Sequence, residues 1–264
     1  MSLQLHYRLF SENADTSLAP IVILHGLFGS GKNWISHSRD LSSLGYSVYT
    51  VDHRNHGDSP WSDEHSLQSM TDDIINFHNQ TIQRPAIYLG HSMGGLVAMT
   101  LSLSHPELVK GLVVADIAPK AYKPHHQLEF AALHIDISNM KSRQEVDQAM
   151  AIVHPNQAVR QFLQMNLERK DTGFEWKVNV NALEKAEYLT EFDTYFTNKS
   201  TKYVGPALFL KGKRSPYITG ADFQLIQKWF PNSIIHTLEA DHWLHYTNYN
   251  DFMAEIKQFF ASFA

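Results

Sequence analysis

The stretch Ala86-Ile87-Tyr88-Leu89-Gly90-His91-Ser92-Met93-Gly94-Gly95-Leu96-Val97 decides how this chain is read. Ala86–Leu89 is a compact apolar run of strand size. Met93–Ser104 is an apolar run of helical length that ends before His105-Pro106, since the residue preceding a proline is pushed out of the helical region. Between them stands a Gly-x-Ser-x-Gly pattern, Gly90 to Gly94. A serine at a sharp strand-to-helix turn has a strained backbone, and small neighbours let the turn close. Its hydroxyl then stands clear of the sheet, at a helix N-terminus that favours developing negative charge. The pattern alone is weak: roughly 0.1 chance matches are expected in a chain of this size at ordinary glycine and serine frequencies. A plain glycine-rich turn is the alternative, and the flanking sequence weighs against it.

On the N-terminal side, Leu3–Phe10 reads as an edge strand, Ile21–Leu24 as a buried strand and Val48–Val51 as a strand ending at Asp52. Trp34–Leu44 reads as a helix stopped by Gly45. Ser66 can cap a helix that aligns Leu67, Met70, Ile74 and Phe77 on one face. On the C-terminal side Leu112–Ala115 is a further strand. Short apolar runs alternating with helical patterns predict a parallel sheet.

The rhythm breaks between Pro119 and Tyr195, where polar, charged helical segments show no convincing buried strand. Lys177–Val180 is at most a short extended piece. The rhythm resumes with a strand at Ala207–Leu210, a helix at Ala221–Trp229 and a strand at Ile234–Leu238. The last helix sets Phe252, Ile256, Phe259, Phe260 and Phe263 on one buried face. The expected organisation is an α/β core from 1–118 and 196–264, interrupted by a helical insertion over 119–195.

Composition narrows the function. The 264 residues are 43% hydrophobic and 19% charged, without a single cysteine. Disulfides, thiolate metal sites and a cysteine nucleophile are thereby excluded. A net charge of −5 offers no basic field for a phosphate backbone. Sixteen histidines make the charge sensitive to mild acid. No apolar run approaches the about 20 residues of a membrane span, and Met1–Phe10 lacks the pattern of a secretion signal. A cytoplasmic location, no nucleic-acid partner and no stable membrane insertion are expected.

Chemistry gathers at three further places. His25-Gly26-Leu27-Phe28-Gly29 follows the strand Ile21–Leu24 and can offer the Leu27 amide to an oxyanion, with the Met93 amide as second donor. His25 is read as orienting that loop. Gly29-Ser30-Gly31-Lys32 fails as a phosphate loop, because Asn33 follows the lysine. His242, after the last strand, is the candidate general base. The pair His125-His126 has no partner ligands nearby in sequence, and no metal site is assigned. For the acid, Asp116 follows Leu112–Ala115, whereas Asp222 reads as a helix start and Asp241 adjoins His242 and should face away from it. Asp116 is chosen. Ser215 lies where an acid commonly sits and can support the histidine–aspartate pair.

Together these residues resemble the α/β-hydrolase superfamily. The resemblance runs almost end to end, through "HGLFGSGKNW", "VDHRNHGDSP", "GHSMGG", "VADIAP" and "ADHWLH". "RNHG" (Arg54–Gly57), "DIAP" (Asp116–Pro119) and "SPY" (Ser215–Tyr217) are similar to bacterial YbfF-type esterases and to ABHD11-like hydrolases. There the acid follows the sixth strand and a serine sits near the usual acid position. The resemblance implies an eight-stranded, mostly parallel sheet flanked by helices, with a helical cap after the sixth strand. It implies hydrolysis of a small-molecule carboxylic ester without a cofactor. Thioester, lactone or peroxide chemistry with the same triad remains open, as does a ligand-binding protein without turnover. Serine at the elbow disfavours haloalkane and epoxide hydrolysis. Tyr122, Phe130, Phe162 and Trp176 are candidate pocket residues of the cap.

Overall fold

The computed structural model describes residues 2–196 and 201–262. Seven strands form the main sheet: β1 (Tyr7–Phe10), β2 (Ile21–Leu24), β3 (Val48–Val51), β4 (Ala86–His91), β5 (Val109–Ala115), β8 (Ala207–Gly212) and β9 (Ser233–Leu238). A separate antiparallel hairpin, β6 (Leu167–Arg169) with β7 (Phe174–Trp176), lies between β5 and β8 in the chain. The sheet order is β1-β3-β2-β4-β5-β8-β9, and only β1 runs antiparallel to its neighbour. The chain steps from β2 outward to β3, then jumps back to β4 on the other side of β2. Such a reversal opens a crevice at the carboxyl ends of the strands.

The central strands read as unbroken apolar runs because both sheet faces are covered. Val22, Leu24, Tyr88, Leu112, Val114 and Phe209 enter one core, against α2 (Leu67–Phe77) and α3 (Met93–Ser104). Ile21, Ile23, Leu89, Val113, Leu208 and Leu210 enter the other, against Leu41 of α1 (Ile35–Ser42) and the face of α11 (Tyr249–Ala261) that carries Phe252, Ile256, Phe259 and Phe260. Each fully buried side chain of this size contributes about 1.5–3 kcal/mol. Phe263 lies outside the described residues. Ser66 accepts the amide of Ser69 and so caps α2.

Between β5 and β8 the chain forms α4 (Gln127–Leu133), α5 (Arg143–Ala151), α6 (Gln157–Leu163), α7 (Val180–Glu184) and α8 (Tyr188–Phe196). Ser142, Asn156 and Asn179 cap three of them. Asn166 donates to the carbonyl of Phe28 at 2.7 Å, and Asn179 to Asn55 at 3.1 Å, tying this stretch to the core loops. After β8 come α9 (Asp222–Trp229), and after β9 a short α10 (Leu244–Thr247).

Four expectations need correction. The main sheet has seven strands among the described residues, not eight. The segment before Tyr7 runs on side-chain anchors instead: the Leu3 amide donates to Asp73 and the His6 amide to Ser59, so the edge strand begins only at Tyr7. The helical stretch accordingly follows the fifth strand, not the sixth. It also contains a hairpin that the sequence reading did not include. Strands of three residues are too short to display a period of two, though the turn shows itself afterwards in Asp171-Thr172-Gly173, closed by Lys170 N–H to the Gly173 carbonyl at 2.9 Å. Among the described residues no helix is long and apolar enough to cross a membrane.

Candidate active site

β4 delivers Ser92 to the crevice. Its backbone has φ 51° and ψ −119°, outside the regions a serine normally occupies. The turn is closed by contacts that admit no side chain: a Cβ on Gly90 would stand 2.2 Å from the Gly94 carbonyl oxygen, and one on Gly94 2.3 Å from that of Leu24. Ser92 is partly exposed, whereas every other residue from Met93 to Leu103 is buried. Met93 is the first helical residue, so its amide is one of the four that an α-helix leaves without an internal acceptor.

The carboxyl end of β2 supplies the facing loop. The His53 amide donates to His25 Nε2 at 3.0 Å, which leaves Nδ1 as the protonated nitrogen, donating to the Gly26 carbonyl at 2.8 Å. Burial lowers the pKa of His25 and keeps it neutral. His25 therefore shapes the loop, as the sequence reading holds. Phe28 has φ 60°, and its amide donates to His56 Nε2 at 3.2 Å. The "RNHG" segment is the buttress beneath: buried Arg54 grips Asp73 of α2 through Nε and Nη2 at 2.7 and 2.9 Å. Leu27 lines the resulting cleft.

Asp116, fully buried, follows β5 with φ 55°. Its Oδ1 accepts from the Gly212 amide at 2.9 Å. Its Oδ2 accepts from the Ser215 hydroxyl and from His242 Nδ1, the latter at 2.8 Å. An ionised carboxylate only accepts, so Nδ1 of His242 carries the proton and Nε2 presents a lone pair. Ser92 and His242 line the same cleft, of about 220 Å³. The structure thus gathers Ser92, His242, Asp116, Ser215, Leu27 and His25. Met93 stands directly behind the serine.

Asp222 accepts from Thr219 and Lys120 at the start of α9. Asp241 accepts from the Trp243 amide and the Thr247 hydroxyl. Both are occupied away from the histidine ring. His125 donates Nδ1–H to the Lys123 carbonyl at 2.8 Å and its Nε2 accepts from the Tyr217 hydroxyl, so both ring nitrogens are spoken for. Among the described residues the acceptor cluster that comes nearest to a metal set is His6, Asp52 and Asp58. Arg8, Lys32 and Lys177 already neutralise it.

Two residues around His242 escape sequence reasoning. Tyr217 stacks on its ring, with centroids 3.9 Å apart and planes 17° off parallel. His91 Nε2 donates to the His242 carbonyl at 2.8 Å, and His37 Nε2 to that of His245 at 2.8 Å, pinning the loop after β9. Burial holds His91 and His245 neutral. Of the aromatic residues proposed for the pocket, Phe162 lines the cleft and Phe130 a neighbouring cavity. The Tyr122 hydroxyl is committed to Ala118 and Tyr217, and Trp176 packs against the core from β7.

A family model described as alpha/beta hydrolase fold matches residues 19–249. A Danio rerio protein named sn-1-specific diacylglycerol lipase ABHD11 is 36% identical, across 97% of this chain and 82% of its own length. A Saccharomyces cerevisiae protein named probable alcohol acetyltransferase is 32% identical, across 86% of this chain and 72% of its own. A solved structure titled marine microorganism esterase is similar with a TM-score of 0.90 and 38% identity, covering 98% of this chain and 100% of that one.

Proposed function

The chain belongs to the alpha/beta hydrolase fold family and is one of its hydrolases, and we propose that it is a cytoplasmic serine carboxylesterase acting on short- to medium-chain esters. Ser92 Oγ attacks the acyl carbon while His242 Nε2 takes its proton. The carbonyl oxygen becomes an oxyanion held by the amides of Leu27 and Met93. When the C–O bond to the leaving group breaks, that proton passes from His242 to the departing oxygen. Water then attacks the acyl-enzyme, giving its proton to His242, and the acid leaves as Ser92 is reprotonated. Asp116 stabilises the imidazolium at each stage, and Ser215 supports the carboxylate. Nucleophile, base and oxyanion donors are all protein groups, so the reading calls for no cofactor.

The observation that carries this reading is the Asp116–His242 bond, which turns a lone pair toward the cleft that Ser92 lines. The test is labelling by a fluorophosphonate probe together with turnover of p-nitrophenyl acetate. Ser92→Ala should abolish the label and lower kcat by up to about 2 × 10⁶, as loss of a serine nucleophile does elsewhere, with the circular dichroism spectrum intact. A variant that keeps a tenth of the rate overturns the assignment, and a wild-type chain that neither labels nor turns over points to a binding protein.

A second reading has one support, the yeast relative named as an alcohol acetyltransferase. An alcohol in place of water would attack the same acyl-enzyme and yield a new ester. Adding ethanol to the assay and measuring ethyl ester formation separates acyl transfer from hydrolysis.

A further inference from the structure

Two cavities lie between the core and the stretch from α4 to α8. The first, about 220 Å³, is the cleft of Ser92 and His242. The second, about 180 Å³, is walled by Pro124, Phe130, Leu183, Ala186, Tyr188 and Leu189. Leu27 and His126 border both, so the two are neighbours across the loop to which the esterase reading gives the oxyanion amide.

Both have largely apolar walls, but only the first also gathers the polar side chains Asn33, His91, His125, Glu129 and His242, among Phe28, Trp34, Val159, Phe162 and Leu163. The second is hydrocarbon and aromatic, with exposed Gln127 and Glu184 at its outer edge. Reaction geometry assigns each a side of the scissile bond. The general acid must reach the leaving oxygen, so the alcohol part lies beside His242. Trp243, Tyr217 and His245 line that first cavity and do not border the second. With the carbonyl oxygen at the Leu27 amide and the leaving group toward His242, the acyl chain points the other way, past the Leu27 side chain. There it meets His126 at the junction. Burial, and then the neighbouring His125 and His242, push the His126 pKa down to about 3, so a hydrocarbon crosses no charge at neutral pH.

On the esterase reading, which this deepens, we propose that the second cavity is the acyl-chain subsite, taking an unbranched hydrocarbon tail through the gap between Leu27 and His126, while the first cavity takes the alcohol. Ala186 and Phe130 set the usable chain length, Ala186 by being small and Phe130 by closing one wall. Glu129 in the first cavity makes the preferred leaving group a neutral alcohol.

The test varies one side of the ester at a time, with p-nitrophenyl acetate, p-nitrophenyl octanoate and octyl acetate as substrates. Ala186→Phe fills the cavity and Phe130→Ala widens it. Filling should lower kcat/KM on the octanoate by about tenfold or more relative to p-nitrophenyl acetate, the size of effect that a few displaced methylenes produce. Octyl acetate, whose long chain is on the alcohol, should behave like p-nitrophenyl acetate. Widening should move the preferred acyl chain to greater length. The proposal is overturned if both variants leave the octanoate-to-acetate ratio unchanged, if all substrates fall together, or if octyl acetate is the one that suffers. Failure of the esterase reading looks different: the unaltered chain would then hydrolyse none of the three in a Ser92-dependent way.

Discussion

Asp116 holds three hydrogen bonds on a backbone with positive φ, and each donor has a separate job. The Gly212 amide and the Ser215 hydroxyl fix the carboxylate, and His242 Nδ1 uses what remains. An asparagine there would present a donor where only an acceptor serves, and would favour the wrong imidazole tautomer. Asp116→Asn is therefore expected to lower kcat by up to about 10⁴ with the geometry intact. Ser215→Ala should cost less, because the carboxylate keeps its Gly212 amide and a hydroxyl carries no charge to balance the imidazolium. Asp222→Asn and Asp241→Asn should change the rate least, since each carboxylate serves its own loop. The four variants on one ester decide the matter. A crippled Asp222→Asn, or an Asp116→Asn near the wild-type rate, would mean that the acid is misplaced.

The turn from β4 to α3 is the element on which the site depends, and it is also the one most legible in the sequence. A strand-sized apolar run, a Gly-x-Ser-x-Gly turn and an apolar helix of twelve residues leave little choice of backbone. Asp116 and His242 were legible for a related reason, since each follows a strand that ends at the same edge of the sheet. The other neighbours of His242 were not. His91 and His242 lie 151 residues apart, and no local period marks their contact. Tyr217 stood inside a quoted motif, yet nothing in the motif said that its ring would lie on an imidazole. The β6–β7 hairpin failed on length, since its strands are three residues each, and the expected eighth strand failed because side chains rather than strand pairing hold the segment before Tyr7. The turn's close approach gives a direct test. Gly94→Ala would press a methyl against the Leu24 carbonyl oxygen, backbone against backbone, so no rotamer change relieves it. It should destabilise the fold by about 1–3 kcal/mol or more, read as a lower urea midpoint with an unchanged slope. A variant as stable as the wild type would show that α3 has room to shift.

Across the whole molecule two groups of buried histidines bear on its response to acid. His25, His53, His56 and His65 lie under the loop that carries Leu27, and His91 and His245 lie behind the loop that carries His242. Burial first, and repulsion among neighbouring histidines second, depress the pKa of His53, His56, His91 and His245 well below 6.5. His65 is pushed down to about 3, by burial and then by Arg54. In the unfolded chain each returns to its ordinary value, so below pH 6.5 the unfolded state binds more protons. Stability is therefore complete above that pH and is lost as the pH falls. Each of these five groups therefore forfeits stability as the pH falls below its unfolded value. Their losses add. The chain should lose stability and unfold cooperatively on acidification from neutral pH, followed by far-ultraviolet circular dichroism against pH, with several protons taken up in the transition. His53 offers the sharpest single check. Neither of its ring nitrogens finds a hydrogen-bond partner among the described residues, although its amide serves His25. His53→Leu removes the ring's proton uptake while leaving that amide in place, so it should move the acid midpoint downward and reduce the uptake by about one proton. An unchanged midpoint and uptake would show that folded His53 already carries its proton at the transition, against a depressed pKa, and would shift the acid response to the group behind His242.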